Sequence, residues 1–332
     1  MKRKLFSALL SVFAMLLLMG AASVPNEPSA ALLAEEESAV LSRTTLDTEA
    51  KTLNTTLAQS VIAAVGLDPL EVAEEVTTED VVNNIPGDPN LVIDGQPAPL
   101  TLSKWMCGSI TYVSLGAMSQ LLDPTAQISW DGTNVTVTTG KLLLTARVGQ
   151  LYIVANDRYL YVPEQVRVSE DGQLSVPLRT VAEAFDATVS YNGATGVVTV
   201  NRGSGAIAQG GGFYNQDDLF WLSRVIYRES GNQSLEGQMA VGNVVLNRVA
   251  DPIFPDTVEG VLAQKNQFST YQSGVLAATE PSESSIIAAK LVMDGGVVAE
   301  TNGALYFDSG STSWAARNRR HIATLGGHKF YG

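Results

Sequence analysis

Cysteine, histidine and positive charge are all scarce in this sequence. A single cysteine, Cys107, excludes an intramolecular disulfide, so the small cysteine framework of many animal secreted domains is ruled out. Only two histidines are present, His321 and His328, which cannot form a zinc site without further ligands. Cys107 lies far upstream of both, so a cysteine–histidine peptidase has no nucleophile near them. Lys and Arg number 21 against 34 Asp and Glu, a net charge of −13, which argues against nucleic acid as a partner. No metal site and no cofactor is expected.

Long apolar runs are as rare. One occurs, Phe6 to Met19, preceded by Lys2, Arg3 and Lys4 and followed by the small residues Gly20, Ala21, Ala22 and Ser23. That order predicts an exported chain with a signal peptide over residues 1–23, cut near Ala22 or Ser23; an uncleaved anchor is the alternative. Residues 24–90 hold 13 acids against Arg43 and Lys51, and read as an acidic, largely disordered linker. Within it Leu53, Leu57, Val61, Ala64 and Val65 recur at helical spacing before Gly66 and Pro69.

What is present is organised. "YVSLGAMSQLLDPTAQISWDGTNVTVT" at 112–138 aligns with "SVPLRTVAEAFDATVSYNGATGVVTV" at 175–200. Val113 and Leu115 fall on Val176 and Leu178, and Trp130 on Tyr191. Residues 91–202 therefore read as two units of about 60 residues. Each unit holds a hairpin, a strand-like stub, a short helix and two strands around Asp131-Gly132 or Asn192-Gly193. The second copy resembles the copper amine oxidase N-terminal domain, a stalk-like module, through Val176, Pro177, Leu178, Arg179, Ala182, Glu183 and Ala184. In the first copy Gly116 stands where the arginine belongs. The name implies no copper here; a spacer or wall-interacting role is expected. "GSGAIAQGGG" then reads as a flexible linker, residues 203–216, closing that domain.

Residues 217–332 change character. Asp217 and Asp218 offer an N-cap to a helix carrying Leu219, Leu222, Val225 and Ile226, which ends between Arg228 and Gly231. A second helix is expected over Leu235–Val249 and a third from a Ser282 cap to Gly295. Between and after them come "NQFSTYQSG", "GALYFDSG" and "GGHKFYG", read as short aromatic segments rather than long strands. Aromatic faces on loops suit sugar CH faces, yet about half of such rings simply pack a core.

Glu229 stands at the end of the first helix, after Val225, Ile226 and Tyr227. A carboxyl among apolar groups at a helix C-terminus is held protonated toward neutral pH, as a proton donor to a glycosidic oxygen must be. An ordinary surface glutamate is the competing reading, and the residues alone leave the choice open. Around it, Tyr227, Glu229, Gly231, Glu236-Gly237-Gln238, Leu246-Asn247-Arg248, Gln267-Phe268, Ala304-Leu305-Tyr306-Phe307 and His328 are similar in order to the SleB/CwlJ-type cell wall hydrolase family.

The resemblance implies a lysozyme-like α fold, so the chain is expected to be multidomain. A β-rich α+β repeat domain precedes an α-rich lysozyme-like catalytic domain. It also implies cleavage of the MurNAc–GlcNAc backbone of peptidoglycan by a single catalytic glutamate, here Glu229, acting as a lytic transglycosylase. Substrate-binding candidates are Tyr227, Gln238, Asn247, Phe268, Tyr306, Phe307 and His328. The expected partner is the peptidoglycan glycan strand, with wall association through the stalk-like domain and a cell-wall or spore location. Gln233 stands where many relatives carry a second glutamate, and Asp308-Ser309 where they carry asparagine-proline. Asp308 as a second acid would give muramidase-type hydrolysis. A wall-binding or spore-structural protein without activity is the rival from another class.

Overall fold

The computed structural model describes residues 87–310 and 312–332. The signal segment and residues 24–86 of the acidic linker, with its helical pattern, lie outside the described residues; residues 87–90, expected as the end of that linker, instead open a strand. Strands β1 (Gly87–Ile93) and β2 (Gln96–Pro99) form the first hairpin, and β3 (Lys104–Cys107) and β4 (Ile110–Ser114) the next. Helix α1 (Leu115–Leu122) follows directly, because the Ser114 hydroxyl accepts from Ala117 N and caps it. Then come β5 (Gln127–Trp130), β6 (Asn134–Thr138), β7 (Leu143–Arg147), β8 (Tyr152–Ala155), β9 (Arg158–Tyr161), β10 (Arg167–Val168) and β11 (Leu174–Pro177). Helix α2 (Leu178–Ala184), β12 (Thr188–Asn192) and β13 (Val197–Asn201) complete the β-rich domain.

Three sheets result, ordered β12-β13-β1-β2, β10-β11-β4-β3 and β5-β6-β7-β8-β9. Alternation sets each face: Val135, Val137, Leu144 and Ala146 are buried while the intervening residues are not. Val113 and Val176, aligned with one another in the sequence, sit opposite each other in the β4–β11 ladder. One core fills the space between sheets and helices, with Leu115, Met118, Val181 and Phe185 at its centre.

The Gly-rich stretch, expected to be a flexible linker, is packed. Ile207 is buried in that same core, and its carbonyl accepts from the Asn156 amide at 3.0 Å. Gly210 opens the short helix α3 (Gly210–Phe213) so close to the β8–β9 turn that a Cβ would lie 2.4 Å from the Asp157 carbonyl oxygen. The glycines here allow a close backbone approach, which composition alone reads as slack.

The second domain holds α4 (Gln216–Ser230), α5 (Leu235–Ala250), α6 (Val258–Ala263), α7 (Ser269–Gln272), α8 (Glu283–Met293) and α9 (Trp314–Asn318). Asn215, not Asp217 or Asp218, caps α4: its side chain accepts from both of their backbone N–H groups, leaving the two acids in the first turn where the dipole favours them. Ser234 and Ser282 cap α5 and α8. Of the short aromatic segments, "NQFSTYQSG" holds α7, while "GALYFDSG" and "GGHKFYG" supply β14 (Tyr306–Asp308) and β16 (His328–Tyr331) of a small antiparallel sheet ordered β14-β16-β15, completed by β15 (His321–Leu325). Its core runs through Leu222, Val225, Ile226, Met239, Val244, Leu291 and Phe330.

The two domains are clamped through the β8–β9 hairpin. Tyr152, Tyr159 and Tyr161 pack against the helical core, and the Arg158 guanidinium pairs with Asp294 just after α8, its Nε donating at 2.7 Å. Tyr214 donates its hydroxyl proton to the same carboxylate and accepts from Tyr159 N at 2.9 Å. Burial and that hydrogen bond hold the Tyr214 phenol far above its usual range. Tyr161 reaches Glu236 at the start of α5 at 3.3 Å.

Candidate active site

Glu229 lies in the last turn of α4, three and four residues beyond Ile226 and Val225, which are fully buried. That spacing sets its carboxyl on the core-facing stripe at the point where the helix stops, so it is half-buried. Desolvation pushes its pKa up from the ordinary carboxylate range, and the neighbouring Arg228 charge opposes the shift. No side-chain hydrogen bond to this carboxyl occurs among the described residues, so none favours its charged form.

Around it opens a depression of about 520 Å³ lined by Tyr227, Arg228, Glu229, Gly231 and Asn232. Tyr227 is 39% exposed and lays its ring along the chain reversal. Gly231 makes that possible, because a Cβ there would lie 2.7 Å from the tyrosine ring and 2.5 Å from the Tyr227 carbonyl oxygen. Of the residues expected to bind, Tyr227 alone lines this depression with Glu229.

The others fall into distinct roles. His328, Phe307 and Phe268 share one cluster: the imidazole meets Phe307 edge-on at 5.1 Å, and Phe307 lies 6.5 Å from Phe268. Phe268 is only 4% exposed and Gln238 only 2%, so neither reaches a ligand. Gln238 instead ties elements together, donating to Gln233 O and Ser284 Oγ and accepting from Ser285 Oγ at 2.8 Å. Asn247 donates to Ala304 O and fixes the approach to β14. Tyr306 sits on the other side of that strand, 5.5 Å from Trp314, with the Arg319 guanidinium over both rings.

Arg248, in the last turn of α5, is buried. Its Nε donates to Leu305 O at 2.7 Å and its Nη1 to Gln267, with the rings of Phe254 and Tyr306 each 5.2 Å from the guanidinium. No carboxylate pairs with it among the described residues, and desolvation lowers its pKa. Asp308 accepts from Ser313 Oγ through Oδ2, while Oδ1 is buried with no hydrogen-bond partner among the described residues.

Sequence reasoning missed three contributors. Asn232 lines the depression, and Arg319 lays its guanidinium against Trp314 and the expected Tyr306, giving an exposed flat surface. Gln233, noted only as a departure, is locked onto His328 at 2.6 Å. The partners lie 95 residues apart, beyond any local pattern.

Residues 232–331 match the family model "Cell Wall Hydrolase", and residues 92–200 match "Copper amine oxidase N-terminal domain". The first match begins three residues after Glu229. The spore cortex-lytic enzyme of Bacillus cereus is 34% identical over 121 residues, covering 35% of this chain and 45% of that protein. That of Bacillus subtilis is 32% identical over 123 residues, covering 36% and 39%. The chain thus spans less than half the length of the curated relatives it matches. A solved structure, the catalytic domain of the germination-specific lytic transglycosylase SleB from Bacillus anthracis, is 33% identical over 36% of this chain and 97% of its own, with a TM-score of 0.33. Residues 232–331 therefore belong to a cell wall hydrolase domain homologous to the SleB spore cortex-lytic enzymes, and residues 92–200 to a copper amine oxidase N-terminal-like domain upstream of it.

Proposed function

We propose that this chain cleaves the MurNAc–GlcNAc backbone of peptidoglycan, with Glu229 as its acid and base. One observation carries the reading: a half-buried carboxyl, its pKa raised by burial, at the lip of an open depression beside an exposed tyrosine. Protonated Glu229 gives its proton to the glycosidic oxygen as the C1–O bond breaks. The resulting carboxylate takes the proton of the muramic acid 6-hydroxyl, whose oxygen bonds to C1 and closes a 1,6-anhydro ring. Glu229 is then protonated again, so one carboxyl serves both steps without a second acid. The names of the SleB relatives, spore cortex-lytic enzyme and lytic transglycosylase, support this class of substrate and this chemistry.

Three further readings belong to the same proposal. The helical frame is lysozyme-like. Residues 91–202 are two copies of one unit, a reading supported by the Val113–Val176 pairing. The chain is exported and meets the wall partly through that domain. Muramidase-type hydrolysis through Asp308 is the second reading, favoured by its unpartnered Oδ1.

Incubating the whole chain with purified peptidoglycan, with and without muramic lactam, and resolving muropeptides by mass spectrometry tests the proposal. New 1,6-anhydro ends that vanish in Glu229→Gln are expected. Reducing ends in their place mean a muramidase, and an unchanged profile means a protein without this activity.

A further inference from the structure

We infer that Gln233 fixes His328 as a neutral imidazole carrying its proton on Nε2, which makes Gln233 a positioning residue of this site. The Gly327 backbone N–H donates to Gln233 Oε1 at 3.2 Å, and a backbone N–H cannot reverse its role. The amide nitrogen must then be the atom 2.6 Å from His328 Nδ1. A side-chain NH₂ only donates, so Nδ1 is bare, and the neutral ring holds its hydrogen on Nε2.

The amide is walled in. A Cβ at Gly326 would lie 2.1 Å from Oε1, one at Gly237 2.8 Å from it, and one at Gly327 3.5 Å from Nε2. Gly326 also adopts φ +57°, which glycine takes without strain. The Gln233 backbone is held as well: its N–H donates to Ser230 O at 2.8 Å and its carbonyl accepts from Gln238 at 3.0 Å.

Charge on the ring is disfavoured from several sides. Protonating Nδ1 would set one N–H against another, and the ring is only 8% exposed. Burial pushes the imidazole pKa down, and Asp308 on β14 opposes that shift. The neighbouring loop presents the uncharged Asn232 and Gln233. Lys329 precedes the ring's neighbours on β16 and pairs in register with Asp308.

A glutamate at position 233 would accept both the Gly327 N–H and an Nδ1–H, which reverses the imidazole. The residue at 233 therefore decides whether the outer nitrogen of His328 offers a hydrogen or a lone pair. It also keeps a second carboxylate away from the helix end that holds Glu229. The inference rests on the proposed function only in taking His328 as a residue that contacts the glycan.

The test uses the full chain with ¹⁵N-labelled histidine and long-range ¹H–¹⁵N correlation, His321→Gln assigning the only other ring. Native His328 is expected to show a bare Nδ1 and a protonated Nε2, and to stay neutral as pH falls past ~6.5. Gln233→Glu moves the proton to Nδ1 or gives an imidazolium, and kcat falls about tenfold with KM little changed. A native Nδ1–H ring, or an unchanged spectrum in Gln233→Glu, overturns the inference. If Gln233→Glu fails to fold, the native spectrum still decides. Absence of glycan cleavage would sink the proposed function and leave the tautomer result intact.

Discussion

Arg158→Met probes the clamp between the two domains. The Asp294 side chain is fully buried and that of Arg158 is 11% exposed, so the pair sits in a medium that screens little. Removing the guanidinium leaves a buried carboxylate held by the Tyr214 hydroxyl alone, and removes the cation stacked 3.5 Å from the Phe213 ring. Breaking one side of such a pair costs about 3–5 kcal/mol. At roughly 2–4 °C per kcal/mol for a chain of this size, the melting midpoint falls by about 6–20 °C. The double variant Arg158→Met with Asp294→Leu recovers much of that loss, because the charge that needed a partner has gone. Calorimetry on the full chain reads both. A loss of under ~1 kcal/mol in the single variant, or a double variant no more stable than the single, refutes the assignment of Asp294 as a charge dependent on this contact.

Other outcomes follow from the same geometry. Glu229→Gln abolishes cleavage yet raises the melting midpoint at pH 7 and not at pH 4: the folded-state pKa is raised, so stability is complete in acid and declines as pH climbs through that value. Thermal scans at the two pH values check the sign. Catalysis by the acid fades over the same rise in pH, which a rate profile measures. Gly231→Ala forces a Cβ onto the Tyr227 ring and carbonyl and costs ~1–3 kcal/mol, with a weaker grip on substrate seen as a higher KM. Arg248→Met leaves Leu305 O and Gln267 without their donor but removes a buried charge; urea titration should show a net change under ~2 kcal/mol, since these effects oppose one another.

Local chemistry made much of the helical domain legible. Ser282 reads as a cap because a hydroxyl before an apolar stripe satisfies orphan N–H groups, and it caps α8, as Ser234 by the same chemistry caps α5. Asn215 was passed over because Asp217 and Asp218 carry the same capping chemistry two residues on, and only backbone geometry separates cap from first turn. Strands β14 to β16 are 3 to 5 residues long, too short for alternation to declare itself. Gln238 was expected at the substrate through the resemblance of Glu236-Gly237-Gln238, yet it is buried. Its partners at 284 and 285 lie more than 45 residues away, where sequence spacing says nothing. The raised acid at Glu229 was readable because its cause, an apolar stripe reaching a helix end, is local. The Gln233–His328 bond was not, because it depends on how a distant turn folds back.

The buried Asp294 carboxylate also bears on how this chain can be cut and rejoined. A fusion joint placed in the glycines of 203–216 would separate Asp294 from Arg158 while keeping each sequence block intact. One face of the β8–β9 hairpin, with Ile153, Ala155 and Leu160, fills the upstream core, and the other, with Tyr152, Tyr159 and Tyr161, packs on the helical domain. Exchanging upstream modules between proteins of this kind would thus require carrying that hairpin along, or neutralising position 294. The segment that looks most expendable on paper marks a seam, and the contacts that hold the two domains together straddle it.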